Sequence, residues 1–235
     1  MLDGEKRRML LKTLELRYAY PGNHKEILQG VTVNFRAGEI TALTGDNGCG
    51  KTTLLKLLAG ILKPSAGRIL IDGKDTAAMS LAEIGRQVAC VFQNPAQQVF
   101  CTTVEEEVAF GLKNMGLDRE EIETRISSYL EYFELTEYRK TFPQSLSQGE
   151  KQRLMLAAVL AMHPRFLILD EPTTGLDIYR RKLLGDYLLR IREDGYGVII
   201  ISHQFKFIDT YADRVLHLEE GQISEEQRRA CHERA

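Results

Sequence analysis

What the chain lacks narrows it first. Its longest wholly apolar runs, such as Leu154 to Met162, fall well short of the roughly 20 residues a bilayer-crossing helix needs, so a water-soluble polypeptide is expected. The opening Met1-Leu-Asp-Gly-Glu-Lys-Arg-Arg is charged and adjoins no long apolar segment, so no secretory signal is expected. Cysteine is scarce: Cys49, Cys90, Cys101 and Cys231 form no C-x-x-C pair. That argues against a disulfide frame or a zinc site and fits free thiols in a reducing cytosol. Neither sign of charge dominates, with 31 Lys and Arg against 33 Asp and Glu and a net charge of -2. An electrostatic footprint for nucleic acid is therefore missing, and no nucleic-acid partner is expected. No internal repeat or low-complexity linker interrupts the sequence. What remains is 235 residues, enough for one sizeable α/β core, or a core with a smaller subdomain attached.

The opening third reads as strands and turns. Leu14 to Tyr20 and Ile27 to Phe35 flank Pro21-Gly-Asn, and Gly67-Arg-Ile-Leu-Ile-Asp-Gly73 puts a strand before an Asp-Gly turn. A further strand is expected over Gln87 to Phe92. Between about Asn94 and Pro164 the pattern turns helical. Thr103-Val-Glu-Glu106 has capping-box spacing, Asp118-Arg-Glu-Glu121 is a second acid-rich start, and Ser147-Gln-Gly-Glu150 is a third. The run Glu105-Glu-Glu107 is accordingly read as a solvated helix start. Short apolar runs then resume, Phe166 to Leu169 and Val198 to Ile201, as expected of strands buried on both faces. A last hairpin is expected at Arg214 to Leu218 and Gln222 to Ile223, followed by a disordered polar tail.

The chemistry concentrates where strands end. Gly45-Asp46-Asn47-Gly48-Cys49-Gly50-Lys51-Thr52-Thr53 follows the strand Ile40 to Thr44 and precedes a helical run from Leu54. Glycines there let successive backbone N–H groups turn toward an anion at the positive end of a helix. Lys51 is suited to reach β- and γ-phosphates, and Thr52 to offer its hydroxyl to Mg²⁺. Cys49 reads most simply as a small residue that fits the loop. Asp170 and Glu171 close another strand, where one acid can anchor Mg²⁺ and its neighbour can polarise an attacking water. His203 and Gln93 also stand at strand ends.

In order along nearly the whole chain, these segments resemble the ATP-binding subunit of an ATP-binding cassette (ABC) transporter. Tyr20 resembles the adenine-stacking aromatic, Gly45 to Thr53 the Walker A loop, Gln93 the Q-loop, and Leu146-Ser147-Gln148-Gly149-Glu150 the signature motif. Asp170 and Glu171 resemble Walker B and the catalytic glutamate, Thr174-Gly-Leu-Asp177 the D-loop, and His203 the switch histidine. The resemblance implies a P-loop NTPase core, a mostly parallel sheet with helices, carrying an N-terminal antiparallel β layer and an inserted helical subdomain. Approximate limits are 1–93 with 165–223 for the core and β layer, 94–164 for the helices, and 224–235 for the tail. It also implies ATP and Mg²⁺ as ligands, Mg²⁺ being served by Thr52, Gln93 and Asp170. The implied assembly is a head-to-tail dimer with a second ABC ATPase, the same or a related chain, in which the signature motif caps the opposite ATP.

The segment Val91 to Phe100 with Thr103 to Gly111 resembles the energy-coupling-factor and cobalt-transporter branch, which moves vitamins or transition-metal ions. The implied setting is the cytoplasmic face of a membrane, with an integral membrane subunit docked near Pro95, Val99 and Phe100. The signature departs from the usual Leu-Ser-Gly-Gly-Gln by Gln148 and Glu150. Ser147 and Gly149 can still act, and Glu150 can still close a capping box, but its charge near a polyphosphate should oppose closure. A weakened half-site, or one tuned to an unequal partner, is expected. The alternative is a soluble ABC ATPase acting as an ATP-gated clamp on DNA or ribosomes. A coiled-coil insertion, a tandem cassette and a basic excess would favour it, and the sequence has none of them.

Overall fold

The computed structural model describes residues 10–22, 25–94 and 97–228, the last five of these by backbone alone. Two sheets organise it. In the first, β1 (Leu10–Tyr18), β2 (Leu28–Arg36), β4 (Ala66–Ile71) and β5 (Lys74–Asp75) run antiparallel in the order β2-β1-β4-β5. The β4–β5 turn places Asp72 at φ 48° and Gly73 at φ 82°, the two positive angles a tight hairpin needs to match strand twist. β1 is kinked where its register slips on both neighbours. There Glu15 takes φ 47°, and Gly67 is required opposite because a Cβ on it would sit 2.2 Å from the Glu15 carbonyl oxygen.

The second sheet holds β3 (Ile40–Thr44), β6 (Val88–Val91), β7 (Phe166–Asp170), β8 (Gly197–Ile201), β9 (Arg214–Glu219) and β10 (Gln222–Arg228), in the order β10-β9-β3-β8-β7-β6. All pairings are parallel except that of β10. Every residue of β3, β7 and β8 is buried, which explains the apolar runs Phe166 to Leu169 and Val198 to Ile201, while β3 buries Thr41 and Thr44 among its apolar residues. Side chains alternate between two cores. Phe166, Ile168, Ile199 and Ile201 face α1 (Lys51–Leu58) and the antiparallel sheet. Leu167, Leu169, Val198 and Ile200 face the other helices. The expected tail is corrected in part: residues 224–228 continue β10 against β9 instead of leaving the sheet at Ile223. Residues 229–235 lie outside the described set.

Between β6 and β7 come α3 (Val104–Asn114), α4 (Arg119–Tyr132) and α5 (Gln148–Leu160), packed on one another. At Gly111 α3 passes close to Met162, just beyond α5, and a Cβ there would fall 2.3 Å from the Met162 sulfur and displace that flexible side chain. Thr103, Asp118 and Ser147 each accept a backbone N–H at their helix starts. The Thr103 box is only half formed, because the Glu106 carboxylate bonds the Thr102 hydroxyl instead. The solvated reading of Glu105 to Glu107 is corrected more sharply. Glu107 is 4% exposed and accepts the Phe100 and Cys101 amides at 3.1 and 2.8 Å. Glu105 pairs with Arg139 and Lys140. A third acid in a run can thus be a buried clamp when a loop folds back over its helix. Downstream, α6 (Ile178–Glu193) and α7 (Phe205–Tyr211) cover the sheet, and short α2 (Leu81–Gly85) carries a full Ser80–Glu83 capping box.

Candidate active site

Strands β3, β7 and β8 are adjacent, so their carboxyl ends deliver Gly45 to Lys51, Asp170 to Glu171 and His203 to one edge of the sheet. The loop after β3 is built on glycine. Gly45 has φ 141°, and a Cβ there would lie 2.2 Å from the Leu218 carbonyl oxygen; Gly50 has φ 113° and is pressed against Ile27 and Leu28. Gly50 occupies the N-cap of α1, which has neither a side-chain cap nor an acid in its first turn. By contrast, α2 to α6 all have capping side chains. The positive end of α1 therefore meets no protein oxygen from a capping side chain, as an anion site requires.

Lys51 is 7% exposed, and its Nζ donates to the carbonyl oxygens of Gly45 and Asp46 at 2.7 and 2.8 Å. Thr52 donates its hydroxyl to Asp170 Oδ2 at 3.3 Å. Asp170, also 7% exposed, is held above its ordinary carboxyl value by burial, with the Thr52 bond and the Lys51 charge opposing. Glu171 sits in the left-handed region at φ 49°, and its N–H donates to the Ile201 carbonyl oxygen at 2.8 Å. Its carboxyl is likewise pushed up by burial. Glu171 Oε1 lies 3.4 Å from His203 Nε2, yet it is buried without a hydrogen bond. A buried carboxylate oxygen left unpaired is positioned to accept from a small donor such as water.

These groups line a cleft of about 570 Å³ together with Asn47, Gly48, Thr53 and exposed Gln93. Thr174, Gln204 and Ile27 also line it; sequence reasoning did not single out Gln204 or Ile27 as site residues. Tyr20 stands beside the loop, its hydroxyl 3.3 Å from that of Thr53 and its ring edge-on to Tyr18. Asp46 points to solvent, while Cys49 packs partly against the core with its sulfur 3.9 Å from Lys51 Nζ. The Thr52 hydroxyl and Asp170 carboxylate put two hard oxygens side by side, a set that fits Mg²⁺, which keeps water and phosphate oxygens as its other ligands. No cluster of three or more His, Cys, Asp or Glu suited to a metal occurs among the described residues. A protein-only cage is therefore not what this site offers.

The signature residues lie outside that cleft, although Gln148 lines a small space that shares Gln93, Asp170 and Glu171 with it. None of Ser147, Gln148, Gly149 and Glu150 lines the cleft around Lys51. Ser147 N donates to Glu150 Oε2 at 2.7 Å, and Ser147 Oγ accepts Glu150 N, so the capping box is complete. The Glu150 carboxyl is held below its usual value chiefly by the Ser147 side chain, with the Ser147 backbone N–H, Tyr138 and Arg153 adding to it against burial. Gly149 packs beside Arg180, and Gln148 against Gly175. Asp177 caps α6 by accepting Arg180 N at 2.8 Å. Of the docking residues, Phe100 is 63% exposed and stacks edge-on with Phe110. Val99 is a correction: at 6% exposure it belongs to the core that the helices share with the sheet, not to a surface. Pro95 lies outside the described residues. No helix among the described residues is long and apolar enough to cross a membrane.

A family model described as ABC transporter matches residues 28–174. A putative ABC transporter ATP-binding protein of Methanosarcina mazei is 45% identical over 201 residues, which cover 84% of this chain and 34% of that protein. The energy-coupling factor transporter ATP-binding protein EcfA of Methanothermobacter thermautotrophicus is 41% identical over 216 residues, 91% of this chain and 69% of that one. Among solved structures, cbiO1 of Clostridium perfringens, described as part of the ABC transporter complex cbiONQ, superposes with a TM-score of 0.86 at 35% identity, covering 94% of this chain and 89% of its own. The chain spans about a third of the length of the first curated relatives it matches.

Proposed function

The chain belongs to the ABC transporter family of ATP-binding proteins, and from that premise we propose that it is an ATPase subunit whose Mg-ATP binding, dimer closure and hydrolysis drive a membrane transport complex. The observation that carries this reading is the convergence of Lys51, the Thr52–Asp170 pair and Glu171 in one cleft. The adenine stacks on Tyr20, and the phosphates lie over the loop amides. Lys51 exchanges its bonds to the Gly45 and Asp46 carbonyls for phosphate oxygens. Thr52, Asp170 and Gln93 hold Mg²⁺, which when bound neutralises charge on the phosphates. Glu171 accepts from the attacking water through its unpaired oxygen, and His203, 3.4 Å away, senses the γ-phosphate. Such chemistry rests on positioning and electrostatics, and needs no covalent protein intermediate.

Because Ser147 and Gly149 are absent from this chain's own cleft, they act on the ATP of a second ABC ATPase, the same or a related chain, with Asp177 at the junction. The relatives named EcfA and cbiO1 support the energy-coupling-factor type, with a vitamin or transition-metal ion as cargo. The work site is then the cytoplasmic face of the membrane, and exposed Phe100 is part of the surface that meets the membrane subunit. Purifying the tagged full-length protein from mild-detergent membranes and identifying its partners by mass spectrometry tests this. An integral membrane subunit, with or without a second ATPase, is the expected companion. Ribosomal or DNA-associated proteins alone would favour a soluble clamp and overturn the transport reading.

A further inference from the structure

Neighbouring residues of α5 reach in opposite directions. Arg153 donates through Nη1 to the Phe133 carbonyl oxygen at 2.9 Å and to Glu134 Oε2 at 3.0 Å, fixing α5 to the end of α4. Gln152 points the other way. It is 7% exposed, and its Nε2 donates to the carbonyl oxygen of Pro172, the residue after Glu171. Gln152 also lines the small space shared by Gln93, Gln148, Asp170, Glu171 and Thr174. One buried amide thus joins the helix that begins with the signature residues to the turn that presents the water-orienting carboxylate.

That turn is strained. Glu171 has φ 49°, which a residue with a Cβ adopts only when its surroundings impose it. The Thr174 N–H closes the turn on the Glu171 carbonyl oxygen at 3.1 Å, and two bonds tie it to other elements: the Glu171 N–H to the Ile201 carbonyl on β8, and Gln152 Nε2 on α5 to the Pro172 carbonyl. The first belongs to the sheet, the second to a helix that packs with α3 and α4. A shift of the helical segment relative to the sheet therefore pulls on only one side of Glu171.

We propose that Gln152 is a positioning residue for Glu171, linking the placement of the helical segment, and of the signature residues at its start, to the orientation of the catalytic carboxylate. This rests on the ATPase reading above. It gives the chain a link between the half-site it completes for its partner and the half-site in which it hydrolyses ATP.

The test uses the complex purified through the full chain. Gln152→Met keeps the volume and removes the donor. It is expected to lower kcat about tenfold, as loss of a buried hydrogen bond at a positioned group does, with KM and equilibrium ATP binding within about twofold of wild type. In a Glu171→Gln background the same change should leave the residual rate within about twofold, because its effect runs through Glu171; a purely structural role would lower both backgrounds alike. Should Gln152→Met fail to fold, Gln152→Asn, polar but one methylene too short for Pro172, gives the same reading. Wild-type kcat in either variant, or equal losses in both backgrounds, overturns the link while leaving the ATPase assignment standing. Absence of ATP hydrolysis by the wild-type complex overturns both.

Discussion

The cleft at the strand ends and the start of α5 are two halves of one expected reaction, built in contrasting ways. The cleft is assembled within one chain: Lys51 and Asp170 are buried, Thr52 already touches Asp170, and Glu171 is held in a strained turn. The signature turn is exposed and satisfied by itself, with Ser147 and Glu150 bonded to each other. On the proposed function, the groups that act on phosphate are preorganised at a cost in stability, and those that meet a second chain keep their polar atoms satisfied by local bonds until they do. The electrostatics follow the same division: burial raises the Asp170 and Glu171 carboxyls, while hydrogen bonding lowers that of Glu150.

Lys51→Ala breaks the contrast most severely. It removes the only cation in the sequence-predicted phosphate loop and is expected to weaken ATP binding by about 100-fold or more, read by equilibrium titration with a fluorescent nucleotide. Binding within a few-fold of wild type would show that the loop amides suffice. Glu150→Gln sharpens the contrast from the other side. Because Ser147, Tyr138 and Arg153 already engage that carboxylate, removing its charge is expected to raise the ATPase rate or ATP affinity of the complex only about two- to fivefold. An unchanged rate and affinity would remove Glu150 from the electrostatics of closure.

A smaller effect tests the preorganisation itself. A carboxyl whose folded value is raised binds protons more readily folded than unfolded, so its ionisation costs stability as pH rises from its ordinary value through the raised one. Glu171→Gln abolishes that cost. The nucleotide-free variant should melt above wild type, with an advantage larger near about pH 7.5 than near about pH 5. An advantage that is constant with pH would show that the Glu171 carboxyl is not strained by burial.

Much of this was legible in the sequence because the residues concerned are contiguous. The phosphate loop needs glycine at fixed places and an unblocked helix start, and both leave marks in one short segment. Asp170, Glu171 and His203 stand at or just past the ends of short continuous apolar runs typical of strands buried on both faces. The parts that escaped depend on long-range packing. Glu107 stands in an acidic run typical of a solvated helix start, and only the return of residues 100–101 over α3 makes it a buried acceptor. Val99 would suit a surface patch or a core, and its burial in the main core decides the matter. Gln152 is an ordinary helical glutamine until α5 is laid against Pro172. Residues 224–228 are polar enough to read as a tail, yet edge pairing with β9 makes them strand.

The account rests on Glu171 as the group that turns bound ATP into hydrolysed ATP. The most direct measurement is phosphate release from Mg-ATP by the purified complex, wild type beside Glu171→Gln, with bound nucleotide quantified in the same samples. Turnover in the wild type, a loss of about 100-fold or more in the variant and undiminished ATP binding in both are the predicted result. Equal phosphate release from the two would contradict the role assigned to Glu171 and, with it, the mechanism built on this cleft.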